Sequence, residues 1–394
     1  MRARYRFLLR SMVQEWRTMF RHPTLLLVLV AIPVVYPLVV SWLYQANQAV
    51  ERPTVVIDDD NSALSRELLE GLDASQELRV IERAGSVDEG WRALRERRAE
   101  VLVYVPSNLS TRVKRGEQAH VKVWVDSSNI LTYGVAYPGV SIVVSSMNDE
   151  LAAAWMRSKG VSREVARARV SPVARVERMA FHPTLAYGAF LVPGVLLLVM
   201  QQAVLIALAF SAGLSRELGE PAEAKRWPFT WLEGKFLAHL ASHLGATAFI
   251  VLCVFRWFGW PMRDAVSLLG LFAVFVLTVA PAAVLVSSLV KDRYASFQLL
   301  MFASAPMFLM SGFSWPIEQM PAHVRAVATL LPSTPALGAL RVLAMKSGDP
   351  ASATRWLVWM AVSFVGWTLA SLIVSRRAWR PWVARVRARA GRTG

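Results

Sequence analysis

Six long apolar runs constrain this sequence more than any other feature; they lie at approximately 24–44, 186–212, 236–258, 266–290, 294–313 and 355–375. A helix needs roughly 20 mostly apolar residues to cross a hydrocarbon layer of about 30 Å, and in that layer its backbone must satisfy its own hydrogen bonds. Each run is about that length, so the chain is expected to be a mainly α-helical membrane protein with six spans. Of its 394 residues 55% are hydrophobic and 18% charged, with a mean hydropathy of +0.37, which excludes an ordinary soluble globule of this size. The first run contains Pro33 and Pro37 and no small-x-small cleavage pattern follows it, so it reads as an uncleaved anchor and not as a signal peptide.

The chain holds 44 basic and 28 acidic residues, a formal charge of +16. Such an excess on a polar domain would suggest nucleic acid. Here the basic residues flank apolar runs, and no nucleic-acid partner is expected. Residues 1–22 carry six Arg against one Glu, 376–394 carry seven Arg and no acid, and 46–180 carry 19 residues of each sign. Lys and Arg counted over short loops and span ends place 19 on one side of the membrane and six on the other. Basic residues resist translocation, so both termini are expected in the cytoplasm and the neutral segment 46–180 outside an inner, cytoplasmic membrane.

Tyr5, Leu8, Leu9, Met12, Val13, Trp16, Met19 and Phe20 recur at helical spacing, and Arg2, Arg6, Arg10, Gln14, Arg17 and Arg21 fill the other face. A basic amphipathic helix partitions into the membrane interface, so 1–22 is expected as a cytoplasmic interfacial helix with lipid as its partner, ahead of span one at 24–44. At 46–180 the pattern changes to short strands and amphipathic helices. Residues 53–57, 78–81, 101–105 and 121–125 read as strands, Ser62 and Ser86 as helix N-caps, and 128–170 as helical, which predicts an extracytoplasmic α/β domain. Spans two to six occupy 186–375. Within them Pro316, Pro321, Pro332 and Pro335 break the stretch 313–350 into re-entrant or interfacial pieces. A basic cytoplasmic tail follows at 376–394.

Motifs that carry chemistry are scarce. Phe236 follows Gly234-Lys235, and Phe229 stands where a GxxxxGK[ST] phosphate loop needs its first Gly. HExxH, GxSxG and paired cysteines are absent, and the single Cys253 lies inside a span, so no enzymatic activity and no metal site are expected. Asp58-Asp59-Asp60 point to alternate faces of an extended segment and lack the spacing of a calcium loop; Asp58 or Asp60 is expected to favour the following helix N-terminus. His239 and His243 share one face of span three without a carboxylate or Cys at a matching offset, and read as interhelical hydrogen-bonding groups. Gln201, Gln202 and Glu318 are the candidates for a transport path, against interhelical bonding for the glutamines and plain solvation for Glu318.

Four stretches occur in order: Val56-Ile57-Asp58 with Asn61-Ser62 and Leu64-Ser65; Val125-Asp126-Ser127-Ser128-Asn129; Phe181-His182-Pro183 leading to Phe190-Leu191-Val192-Pro193-Gly194; and Ser311-Gly312-Phe313 through Pro316, Met320-Pro321, Leu331-Pro332 and Thr334 to Ala339-Leu340-Arg341. Over nearly the whole chain they resemble the permease subunit of a type-2 ATP-binding-cassette (ABC) exporter, in the subgroup with a large extracytoplasmic domain between spans one and two. The resemblance implies outward movement of an unidentified substrate, driven by a separate cytoplasmic ATPase subunit that holds ATP and magnesium, with no cofactor in this chain. It implies a second permease copy or a paralogue, since six spans make half of such a pore, and it leaves room for a periplasmic adaptor. It also implies an ATPase-coupling loop through Arg216, Glu217, Gly219, Pro228, Gly234 and Lys235. His182 stands where the family usually has Asn, and Glu220 where it usually has Thr. The alternative is a mechanotransmitter, in which the same motion controls an envelope partner through the outside domain without transport. A membrane-anchored sensor, a third reading, lacks a cytoplasmic signalling domain.

Overall fold

The computed structural model describes residues 2–45, 50–162, 165, 186–218, 228–290, 292–346 and 349–390. Two compact units divide the chain, one of Gln48–Met179 and one that combines Met1–Asn47 with Ala180–Gly394. The helical unit begins with α1 (Arg2–Arg21) and α2 (Pro23–Leu43). Pro23 opens α2 at a position that needs no amide donor; further on, Pro33 and Pro37 remove two donors and the helix loosens into a π-helical turn at Ala31–Val35.

The unit Gln48–Met179 contains β1 (Arg52–Asp58), α3 (Ala63–Asp73), β2 (Leu78–Arg83), α4 (Val87–Arg95), β3 (Val101–Val105), α5 (Leu109–Lys114), β4 (Lys122–Val125) and the long α6 (Ile130–Ser158). Its sheet runs β2-β1-β3-β4, with β1 parallel to both neighbours and β4 antiparallel at the edge. Alternation of side chains along β1 fills two cores. Val56 packs with Leu68, Leu69 and Leu72 of α3 and Val140 of α6, while Val55 and Ile57 pack on the other face with Ala93 of α4. Ser62 caps α3 reciprocally with Ser65, and Ser86 caps α4. Asp58 accepts from the amides of Asp60 and Asn61 and from Ser65 Oγ, so it braces the start of α3. Asp60 instead accepts from the amide of Ser110 at the start of α5.

The helical unit resumes with α7 (Tyr187–Leu218), α8 (Pro228–Phe249, continued by a π-helical turn at Ile250–Val254 and a last turn at Phe255–Phe258) and α9 (Ala265–Leu289). Then follow α10 (Arg293–Met310), α11 (Ala322–Leu330), α12 (Ser333–Leu340, continued through Lys346) and α13 (Thr354–Ala390). Among the described residues, five stretches are long and apolar enough to cross a membrane: Pro23–Leu43, Tyr187–Ser215, Glu233–Phe258, Ala265–Leu289 and Pro350–Val374. The pair α11 and α12, bent by 80°, makes a sixth if counted as one span. Of the stretch 294–313, which the sequence reading takes as a span, residues up to Met310 form α10; this helix is not among the five, and Arg293, Tyr294 and Gln298 make its first turns less apolar. The basic segment 376–394, read as a tail, continues α13 as helix to Ala390.

Two helices form the centre of this unit. Val192, Leu196, Met200 and Val204 of α7 are buried with Leu268, Phe272, Phe275 and Val279 of α9. At the α7 start, two of the motif stretches meet: the Phe313 ring stacks on Phe190 at 5.4 Å and lies within 2.0 Å of where a Cβ on Gly194 would be. Arg341 Nη2 donates to the carbonyls of Gly312 (3.1 Å) and Phe313 (3.3 Å) and holds the turn in place.

Candidate functional site

At the opposite end of α7 a buried polar junction gathers α1, α7 and α8. Phe7, Ser11, Glu15 and Met19, spaced by four, form the buried face of α1. α1 runs along α8 in the same direction. Arg4 Nε donates to Thr230 Oγ1 at 2.9 Å, Ser11 lies over Gly234, and Trp16 Nε1 donates to the Ala238 carbonyl at 3.1 Å and to Ser242 Oγ at 3.0 Å. Gly234 is required for this approach: a Cβ there would meet Ser11 Cβ at 2.6 Å, the Leu8 carbonyl at 2.9 Å and the Met12 amide at 3.1 Å.

Glu15 is the centre of the junction. Its Oε2 lies 2.6 Å from Lys235 Nζ, and its Oε1 accepts from His239 Nε2 at 3.0 Å and from Ser211 Oγ. Only 3% of the Glu15 side chain, 9% of Lys235 and 2% of His239 is exposed. Lys235 Nζ also donates to Ser215 Oγ and sits 4.8 Å from the centre of the Trp231 ring. His243, one turn beyond His239, donates from Nδ1 to the His239 carbonyl at 2.7 Å. Taking a carboxylate and an ammonium out of water costs several kcal/mol per ion, and only this set of close partners offsets it. Burial alone would push the Glu15 carboxyl up. The hydrogen bond from His239 and the charge of Lys235 outweigh it and hold the group at about 2.

A second tie joins α7 to α10. Glu217 Oε2 lies 3.3 Å from Arg293 Nε, and the Arg293 guanidinium stacks over Phe210 (5.6 Å) and Tyr294 (4.7 Å). Of the coupling residues read from the sequence, Gly234 and Lys235 therefore lie beneath α1 and Glu217 pairs within the chain. Arg216 is in α7 and Pro228 opens α8, but their side chains lie outside the described residues, as does Gly219 altogether.

The transport-path candidates are not brought together. Gln201 is buried on α7, half-buried Gln202 directs Nε2 toward Met307 Sδ of α10 at 3.9 Å, and Glu318 is exposed on the turn Ile317–Gln319. His182 lies outside the described residues. Glu15, Ser211, Ser215 and Arg293 are what sequence reading misses as site residues. One signal was present, since Glu15 is the only acid in residues 1–22.

Residues 23–373 match the family described as ABC-2 family transporter protein. The chain is 23% identical over 326 residues to the probable multidrug ABC transporter permease YbhR of Escherichia coli (strain K12), an alignment that covers 81% of this chain and 84% of that protein. It is 27% identical over 204 residues to the probable multidrug ABC transporter permease YbhS of the same organism, covering 48% of this chain and 53% of that protein. With five to six stretches among the described residues of its helical unit that are long and apolar enough to cross a membrane, and a family match that runs from the start of the first to within one residue of the end of the last, this chain belongs to the ABC-2 transporter family and is a multi-pass membrane permease.

Proposed function

We propose that the chain is the permease half of an ATP-driven exporter, with hydrolysis, ATP and magnesium in a separate cytoplasmic subunit. The observation that carries this is the family match across 23–373 in a chain whose sequence has no phosphate loop. Both termini and the α1 junction lie in the cytoplasm, in an inner membrane, and the unit 48–179 lies outside, where an adaptor has access to it. The 19-to-six distribution of basic residues supports that orientation. Outward transport passes near Gln201, Gln202 and Glu318. The names of the two relatives make drug-like amphipathic molecules the first cargo to test.

The ATPase meets the permease at the end where α1, α7, α8 and α10 converge, with Arg216, Glu217, Gly219 and Pro228 nearest to it. Gly234 and Lys235 act from beneath α1. The exposed α1 residues Tyr5, Leu9, Val13 and Phe20 face lipid, beside Arg6, Arg10 and Arg17. A second copy or a paralogue covers α10, where Leu299, Phe302 and Leu309 are exposed beside Gln298 on a helix less apolar than the spanning stretches.

Reconstitution with its cognate ATPase tests the reading. ATP-dependent accumulation of a cationic dye inside inverted vesicles is expected. ATP turnover stimulated by the permease while no dye or lipid-soluble drug moves would favour the mechanotransmitter, and absence of any ATPase association would remove the permease reading.

A further inference from the structure

We infer that Glu15 is a positioning residue: through Lys235, His239 and Ser211 it locks α1 in one register on α7 and α8, so that the N-terminal helix and the ends of two spans move as a single lever. This deepens the permease reading and rests on it. The face that α1 turns to the protein is a mixed one, with Ser11 and Glu15 between Phe7 and Met19 and with Leu8, Met12 and Trp16 half-buried beside them, while Tyr5, Leu9, Val13 and Phe20 stay exposed. A helix held by apolar contacts alone slides or rolls at small cost, because each side chain finds another apolar neighbour. Glu15 has no such freedom. Displacement by one turn, roughly 5.4 Å, would leave a carboxylate, an ammonium and an imidazole without partners in a buried site.

The carboxylate is also shared between two elements. Oε1 meets Ser211 of α7 and His239 of α8, Oε2 meets Lys235 of α8, and Lys235 reaches back to Ser215 of α7. Gly234 places the α1 backbone directly against α8, so the separation of the two helices is fixed by main chain and not by compressible side chains. Force applied to α1 is therefore passed to α7 and α8 with little slack.

The experiment uses full-length permease with its ATPase in lipid nanodiscs, in a Cys253→Ala background. Spin labels go on cysteines at exposed Gln14 of α1 and exposed Leu237 of α8. One narrow distance is expected, unchanged between the nucleotide-free and the vanadate-trapped complex. Glu15→Gln, which keeps the shape and removes the charge, is expected to broaden or shift that distance while the ATPase still co-purifies, and to lower transport per ATP at least tenfold. Glu15→Asp is expected to restore a narrow distance and part of the transport. An unchanged distance and unchanged coupling in Glu15→Gln would overturn the inference, as would a wild-type distance that changes through the cycle. Failure of the wild-type chain to engage any ATPase would instead overturn the permease reading, and the label distance in the permease alone would still decide the register.

Discussion

Glu15 and Lys235 hold charges that water no longer reaches, so removing one of them is worse than removing both. Glu15→Ala leaves an unpaired buried ammonium and is expected to cost about 3–5 kcal/mol. Adding Lys235→Met to it is expected to return part of that loss, because the two sites share one interaction and their effects do not add. Thermal unfolding of the purified permease and its variants measures both; a fully additive pair would mean that the ion pair contributes nothing. The sign with pH follows from the carboxyl's position at about 2, below its ordinary 4.5. A group lowered on folding stabilises the fold above its unfolded value and loses that stabilisation as pH falls through its folded value. The contribution of Glu15 is therefore expected to be complete above about pH 4.5 and to disappear toward pH 2.

At the scale of elements, the match between the start of α7 and the turn after α10 depends on a missing side chain. Gly194→Ala would put a methyl group into the Phe313 ring and is expected to cost about 1–3 kcal/mol by overpacking, with partial recovery when Phe313→Leu makes room. A double-mutant cycle on thermal stability checks this, and an uncoupled pair would show that the ring moves aside freely. Such pairings are not legible in a single sequence: Gly194 and Phe313 each stand out in a motif, yet no local rule says that they touch. Helices α7, α8 and α9 were legible, because apolar runs of membrane length have few other uses. The strands were legible as well, since Val55, Val56 and Ile57 stand between proline and acidic turn residues. The orientation of α1 was only half legible. Its apolar stripe is plain at helical spacing, but Tyr5, Leu9, Val13 and Phe20 of that stripe are exposed, and the face that docks also carries Ser11 and Glu15, which hydropathy alone would assign to solvent.

For the whole molecule the decisive quantity is which unit faces which side. Long polar segments cross membranes with little regard to charge, whereas short basic loops do not, so the 19 Lys and Arg near one set of span ends are expected to set the orientation, with the charge-neutral segment 46–180 following. A single cysteine at Glu70, exposed on α3, and another at Gln14, exposed on α1, report on the two sides once Cys253→Ala removes the native thiol. A membrane-impermeant maleimide added to cells with a permeabilised outer layer is expected to label the Glu70 position and to spare the Gln14 position until the inner membrane is opened. Both positions are solvent-exposed in the fold, so a missing signal reflects the membrane and not burial. Labelling of the Gln14 position in intact cells, with protection at Glu70, would reverse the topology, place the Glu15 junction outside, and separate it from any cytoplasmic motor.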